Sequence, residues 1–208
     1  MDWVVFGNVA GQFLIDNFSV VVGVLCGSLF AVKRKLDIVG VISLGIVTGY
    51  GGGVIRDILL HDQGFFIMDN PELILICIVL GSIVSIFRKQ LMGLEAHLFH
   101  VDAFSMALFA LAGSSKAWAA GTGVVITILL GGITAVGGGV LRDISTGETP
   151  SVFQSSNFYA VSGVAGSAVY VALSVCGLPT PVPDIACVAT AFALTALSAR
   201  FGWRTTGG

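Results

Sequence analysis

Residues 51–58 read Gly-Gly-Gly-Val-Ile-Arg-Asp-Ile, and 86 positions later residues 137–144 read Gly-Gly-Gly-Val-Leu-Arg-Asp-Ile. The offset holds without a gap back to residue 16. Asp16-Asn17-Phe18-Ser19 pairs with Asp102-Ala103-Phe104-Ser105, Gly27-Ser28 with Gly113-Ser114, Gly45 with Gly131, and Thr48 with Thr134. A chain that repeats itself in this way folds as two like units. In a membrane protein, the seam between such units is where a transport path is built.

The composition requires a bilayer. The 208 residues are 55% hydrophobic and 11% charged, against about 25% charged in soluble domains. Residues 1–208 therefore read as one membrane domain. A net charge of −2 gives no reason to expect a nucleic-acid partner. No basic stretch precedes the first apolar run, so the first span is expected to be retained rather than cleaved. Cys26, Cys77, Cys176 and Cys187 lie in apolar stretches without a C-x-x-C pair and read as small buried hydrophobes. A bridge between Cys176 and Cys187, which flank the last loop, is possible but not indicated.

A spanning helix needs about 20 apolar residues. The pattern predicts an all-α membrane protein with seven spans, at 16–32, 38–60, 71–87, 99–115, 121–144, 158–177 and 183–200. Pro71 suits a first helical turn, and Pro179, Pro181 and Pro183 keep the last loop from being helical. Lys33, Arg34 and Lys35, then Arg88 and Lys89, then Arg200 and Arg204 fall on one side if there are seven spans. That side is expected to be cytoplasmic, with the N-terminus outside and the C-terminus inside. Lys116 is the exception, on the outer side. Repeat one covers about 16–87 and repeat two about 99–177. Each holds three spans, so the second copy enters from the opposite face and a pseudo-two-fold axis lies in the membrane plane. The span at 183–200 stands outside the repeat, and its run of alanine and threonine suits close packing.

Three glycines within a span are unfavourable by about 1 kcal/mol each relative to alanine. Gly51 lies about 20 Å along the helix from Ile38, inside the bilayer. The second and fifth spans are therefore expected to be broken or kinked at Gly51, Gly52 and Gly53 and at Gly137, Gly138 and Gly139. Unwound backbone at that depth belongs beside protein or a water-filled cavity. The competing reading is that the triplets only let helices cross closely. A nucleotide-binding glycine loop is excluded, since no strand precedes it and the Walker lysine is absent.

Arg56, Asp57, Arg142 and Asp143 sit just past the triplets, and Asp16 and Asp102 near the starts of the first and fourth spans. Charges within spans face protein or water and find partners. Neighbours at i,i+1 do not face each other on a helix, so each arginine is expected to pair with another helix. Candidate partners are Asp16, Asp102 or the aspartate of the opposite repeat. Such groups read either as structural ion pairs or as the border of an ion path, a bistable pair serving as its gate. Carbonyls freed at the glycine breaks would then replace part of a cation's hydration shell. Lys116 reads either as a lysine snorkelling to the interface or as a charge that responds to voltage. His97 and His100, with Glu95 nearby, make weak metal spacing, and no arrangement suggests an enzyme.

The doubled GGGxxRD, the D-x-F-S openings, Gly113-Ser114-Ser115-Lys116-Ala117 and seven spans together resemble the prokaryotic trimeric intracellular cation (TRIC) channel family, over nearly the whole chain to about residue 200. The resemblance implies a homotrimer in the prokaryotic inner (plasma) membrane, each protomer carrying its own pore lined by the first, second, fourth and fifth spans. It implies no cofactor beyond permeant potassium or sodium ions. It places the family's arginine–aspartate positions on Arg56, Asp57, Arg142 and Asp143, and the gating lysine of animal members on Lys116. The lysine-rich lipid-binding motif of animal members is absent here, since Tyr50 precedes the triplet. Bacterial relatives have also been described as glycine transporters. Three functions therefore stand: a potassium-permeable cation channel, a secondary transporter of a small zwitterion such as glycine, and a membrane scaffold.

Overall fold

The computed structural model describes residues 2–61, 64–91, 98–154 and 158–204, with side chains from residue 11 onward. Every regular element among them is helical: α1 (Asp2–Lys33), α2 (Ile38–Leu59), a short α3 (Phe66–Asp69), α4 (Glu72–Ile86), a short α5 (Arg88–Leu91), α6 (Leu98–Ala119), α7 (Val124–Ser145), a 3-10 turn (Ser151–Phe153), α8 (Tyr159–Val175) and α9 (Val182–Phe201). Seven apolar helices thus stand where the spans are expected. Five are long and apolar enough to cross a membrane: Gly11–Lys33 of α1, then α2, α6, α7 and α9. At 15 and 17 residues, α4 and α8 are apolar but shorter. The largest departure is α1, which begins fourteen residues before the expected Asp16. The run Trp3-Val4-Val5-Phe6 extends its apolar sequence toward the N-terminus.

Local chemistry sets the ends. Asp37 caps α2, its carboxylate accepting from the Gly40 N–H at 2.7 Å. Pro71 immediately precedes α4, where a missing N–H leaves no helical bond unmade. Pro183 lies within the first turn of α9 rather than in the loop, so only Pro179 and Pro181 keep that connection open. Gly202 closes α9 in the left-handed conformation at φ 67°.

Packing follows the repeat. α1 lies against α2 and α4, as α6 lies against α7 and α8, while α2 crosses α7 and α1 crosses α6 at the centre. The α2–α7 crossing is reciprocal. A Cβ on Gly52 would overlap the Thr134 carbonyl oxygen, and a Cβ on Gly138 would overlap that of Thr48. Since 134 and 138 are the repeat partners of 48 and 52, this is the self-complementary contact of a two-fold axis. Within each copy, Gly27 meshes with Thr48 and Gly45 with Ser28, as Gly113 meshes with Thr134 and Gly131 with Ser114. The paired glycines and hydroxyls of the sequence are therefore interlocking positions on neighbouring helices. α9 stands outside the repeat against α6 and α8, where Gly166 admits Ala191 and the Cys187 carbonyl.

The expected breaks are absent: α2 and α7 run as continuous α-helix through Gly51–Gly53 and Gly137–Gly139. The helical cost of glycine is a weak local preference, and here backbone contact between the two helices overrides it. An ideal Cβ on Gly51 would stand 3.3 Å from Gly138 Cα, and one on Gly137 3.1 Å from Gly52 Cα. The triplets do meet across the pseudo-axis, as unbroken helices in close crossing. No carbonyl is released there to serve as an ion ligand.

Candidate functional site

Two ion clusters flank this crossing, one carried by each repeat. In the first, Arg56 is 1% exposed and Asp57 2%, deep among α1, α2 and α6. Arg56 Nη1 donates to Asp16 Oδ1 at 2.7 Å and to the Ala112 carbonyl at 3.2 Å. Its Nε donates to Asp57 Oδ1 at 2.8 Å. Lys116 Nζ reaches the same Asp57 oxygen at 2.8 Å, while the Phe66 N–H donates to Asp57 Oδ2 at 2.9 Å. Gln12 Nε2 donates to Asp16 Oδ2 at 3.2 Å. Among the described ion pairs, two cations thus face two carboxylates.

The second cluster repeats the first with substitutions. Arg142 Nη1 donates to Asp102 Oδ1 at 2.6 Å, and its Nε to Asp143 Oδ1 at 3.0 Å. The Ser151 N–H donates to Asp143 Oδ2 at 2.9 Å, as Phe66 does to Asp57. Where the first cluster has Ala112, the second has Cys26, whose thiol donates to Asp102 Oδ1 at 3.2 Å. Where the first has Lys116, the second has Phe30, with Arg142 Cζ 4.3 Å from its ring centroid. One guanidinium here faces two carboxylates, and the Asp102 side chain is 25% exposed.

The structure therefore brings together Asp16, Arg56, Asp57 and Lys116 at one end, and Asp102, Arg142 and Asp143 at the other. Each arginine pairs with the aspartate that opens its own repeat, on another helix as expected. Contrary to expectation, each also holds its i+1 aspartate. The guanidinium fork is long enough to fold Nε back to its neighbour while Nη1 reaches across. Lys116 is engaged in an ion pair rather than snorkelling into solvent. Asp16 lies midway along α1 instead of near its start, because the helix begins earlier. The sequence marks Cys26 only as a small buried hydrophobe and does not single out Phe30. The signal for their place in the cluster was available: they are the residues at offset 86 from Ala112 and Lys116, where the copies differ.

The space beside Arg56, lined by Asp16, Tyr50, Gly53, Asp57 and Phe66, is about 10 Å³, at the lower limit for one water. That space is too small to hold a hydrated cation. A larger cavity of about 580 Å³ opens beyond it, bordered by Gln12, Asp16, Lys116, Trp118, Tyr170 and Asp184. All four cysteines are free thiols. His97 and Glu95 lie outside the described residues, and no metal-holding group of histidine, cysteine and carboxylate occurs among those described.

Solved structures share this architecture. The crystal structure of the TRIC trimeric intracellular cation channel orthologue from Rhodobacter sphaeroides superposes with a TM-score of 0.85 at 34% identity, covering 92% of this chain and 98% of that one. The chain belongs to the prokaryotic TRIC family. A second TRIC cation channel structure matches with a TM-score of 0.83 at 29% identity, over 94% of this chain and 96% of the other. The inner membrane protein YadS of Escherichia coli K12 is 32% identical over 159 residues, 76% of each chain. The family profile described as "Glycine transporter" matches this TRIC-family chain twice, over residues 13–89 and 99–174. The two matches coincide with the two repeats.

Proposed function

We propose that this protein is a channel for monovalent cations, potassium among them, with a conduction path in each protomer of a homotrimer in the prokaryotic inner membrane. The observation that carries the reading is the pair of buried arginine–aspartate clusters on either side of the α2–α7 crossing, in a fold shared with TRIC cation channels. Each cluster joins three helices through one side chain, so exchange of its partners moves helices together. The path runs beside α1, α2, α6 and α7. In the conformation described it is shut at Arg56 by the ion pairs, and the aspartates supply the negative field once those pairs part. Because the glycine triplets release no carbonyls, their role is to let α2 and α7 approach. The end carrying Lys116 faces outward, and the end carrying Arg34, Glu148 and Arg142 faces the cytoplasm. Transport, not a chemical transformation, is the activity.

A second reading is transport of a small zwitterion. It is favoured by the description of the matching family profile and by the cavity that both Lys116 and Asp184 line. Bilayer recording of the purified protein under asymmetric KCl, followed by runs with glycine, separates the two. Discrete steps reversing near the potassium potential support the channel. A silent bilayer with saturable glycine uptake in matched liposomes supports the transporter and removes the channel.

A further inference from the structure

The two clusters obey the same repeat and yet close by different chemistry. Position 116 is a lysine whose ammonium binds Asp57, the carboxylate that also holds Arg56. The equivalent position 30 is a phenylalanine whose ring lies against Arg142 at 4.3 Å. A second guanidinium, that of Arg34, lies 5.2 Å from the same ring centroid, and Arg34 itself pairs with Glu148. One half-buried ring therefore joins an exposed ion pair to a buried one, a contact the other cluster lacks.

We propose that Phe30 is the positioning residue of the cluster at Arg142: its ring, standing where the other repeat has Lys116, holds Arg142 against Asp102 and Asp143 and seals Cys26 from solvent. This rests on reading the two clusters as the ends of one path. The ends then open by different means. At Lys116 a charged side chain exchanges partners, so the membrane field acts on it directly. At Phe30 an uncharged ring must move off a cation, and the field does no work on the ring. The extra carboxylate fits this assignment, because a ring supports the guanidinium without neutralising Asp102. Among the described ion pairs, the Asp102–Arg142 end therefore carries one carboxylate more than it has cations, which attracts cations, while Arg56 and Lys116 match Asp16 and Asp57 at the other.

Cys26 serves as a built-in reporter. It is 2% exposed and bonded to Asp102, and Cys176, the one exposed cysteine among those described, is removed by Cys176→Ser. The purified trimer in liposomes is treated with a membrane-impermeant trimethylammonium methanethiosulfonate, and modification at Cys26 is followed by mass spectrometry. Phe30→Leu is expected to raise the Cys26 rate about tenfold, the factor expected for losing a partly desolvated cation–π contact. Phe30→Trp keeps a ring and is expected to retain the parent rate, as is Lys116→Met, which acts at the other end. Should Phe30→Leu fail to assemble, Phe30→Met, whose unbranched side chain adapts to an irregular gap, takes its place. A Phe30→Leu rate equal to the parent overturns the proposal. So does a Phe30→Trp rate equal to that of Phe30→Leu, or an equal acceleration by Lys116→Met. Because no current is measured, a silent protein with the expected labelling removes the channel reading alone. A conducting protein without the labelling pattern removes only the role of Phe30.

Discussion

Replacing Gly52 by alanine separates helix packing from helix breaking. A Cβ at Gly52 falls inside the van der Waals envelope of the Thr134 carbonyl oxygen, a backbone atom that cannot swing aside. At Gly53 the nearest atom is Arg56 Nη2, 3.9 Å away, at the end of a long side chain. Both variants gain the same helical preference, about 1 kcal/mol, so this term cancels between them. What remains is the overlap at Gly52. Relieving it requires α2 and α7 to part by on the order of 1 Å, which forfeits a quarter to a half of the dispersion well at each opposed atom. Overpacking of this kind destabilises by about 1–3 kcal/mol. With about 2–4 °C per kcal/mol for a chain of this length, Gly52→Ala should melt on the order of 5 °C below Gly53→Ala. Thermal unfolding of the purified proteins in one detergent reads the difference. The repeat supplies an internal replicate. Gly138→Ala, against the Thr48 carbonyl, should match Gly52→Ala, and Gly139→Ala, whose Cβ clears Tyr159 Oη by 3.7 Å, should match Gly53→Ala. The double variant Gly52→Ala with Gly138→Ala should lose less than the sum, because helices already parted for one methyl accommodate the other. Equal losses at Gly52 and Gly53 would refute the packing argument and restore the triplets as points of backbone flexibility.

Removing a buried arginine leaves carboxylates without a counter-charge, a loss of about 3–5 kcal/mol when one partner of a buried pair is deleted. Arg56→Ala retains Lys116 beside Asp57, whereas Arg142→Ala leaves no cation among the described residues bonded to Asp102 or Asp143, so the second should show the lower melting temperature. Arg34→Ala removes an ion pair with side chains 46% and 33% exposed and should shift stability by less than about 1 kcal/mol; a larger loss would mean that the Phe30 contact carries weight in the ground state. Lys116→Met should flatten the voltage dependence of opening, since it removes one of the two cations bonded to Asp57 and a full charge crossing the whole field gains about 2.3 kcal/mol per 100 mV. An unchanged voltage slope in single-channel records would remove Lys116 from the gate.

What the sequence disclosed and what it withheld divide along the repeat. Features present in both copies were legible: the offset itself, the three apolar segments of each copy, and the pairing of each arginine with an aspartate on another helix. Each is a property of position, and a shared position implies a shared environment. The continuity of α2 and α7 was not legible. Glycine's helical penalty is a local quantity, while the contact that outweighs it joins Gly52 to Thr134, 82 residues away. Nor was the folding back of Arg56 onto Asp57, which depends on the reach of a side chain rather than on the direction of its Cβ. The most informative positions, however, are those where the copies disagree. Duplication alone would give a protein with two equal ends, which cannot tell one side of a membrane from the other. Lys116 against Phe30 and Ala112 against Cys26 make the clusters unequal in charge and in packing. Any difference between the two ends must come from what the copies do not share, these substitutions and the unrepeated α9, because every feature the copies share acts equally at both ends.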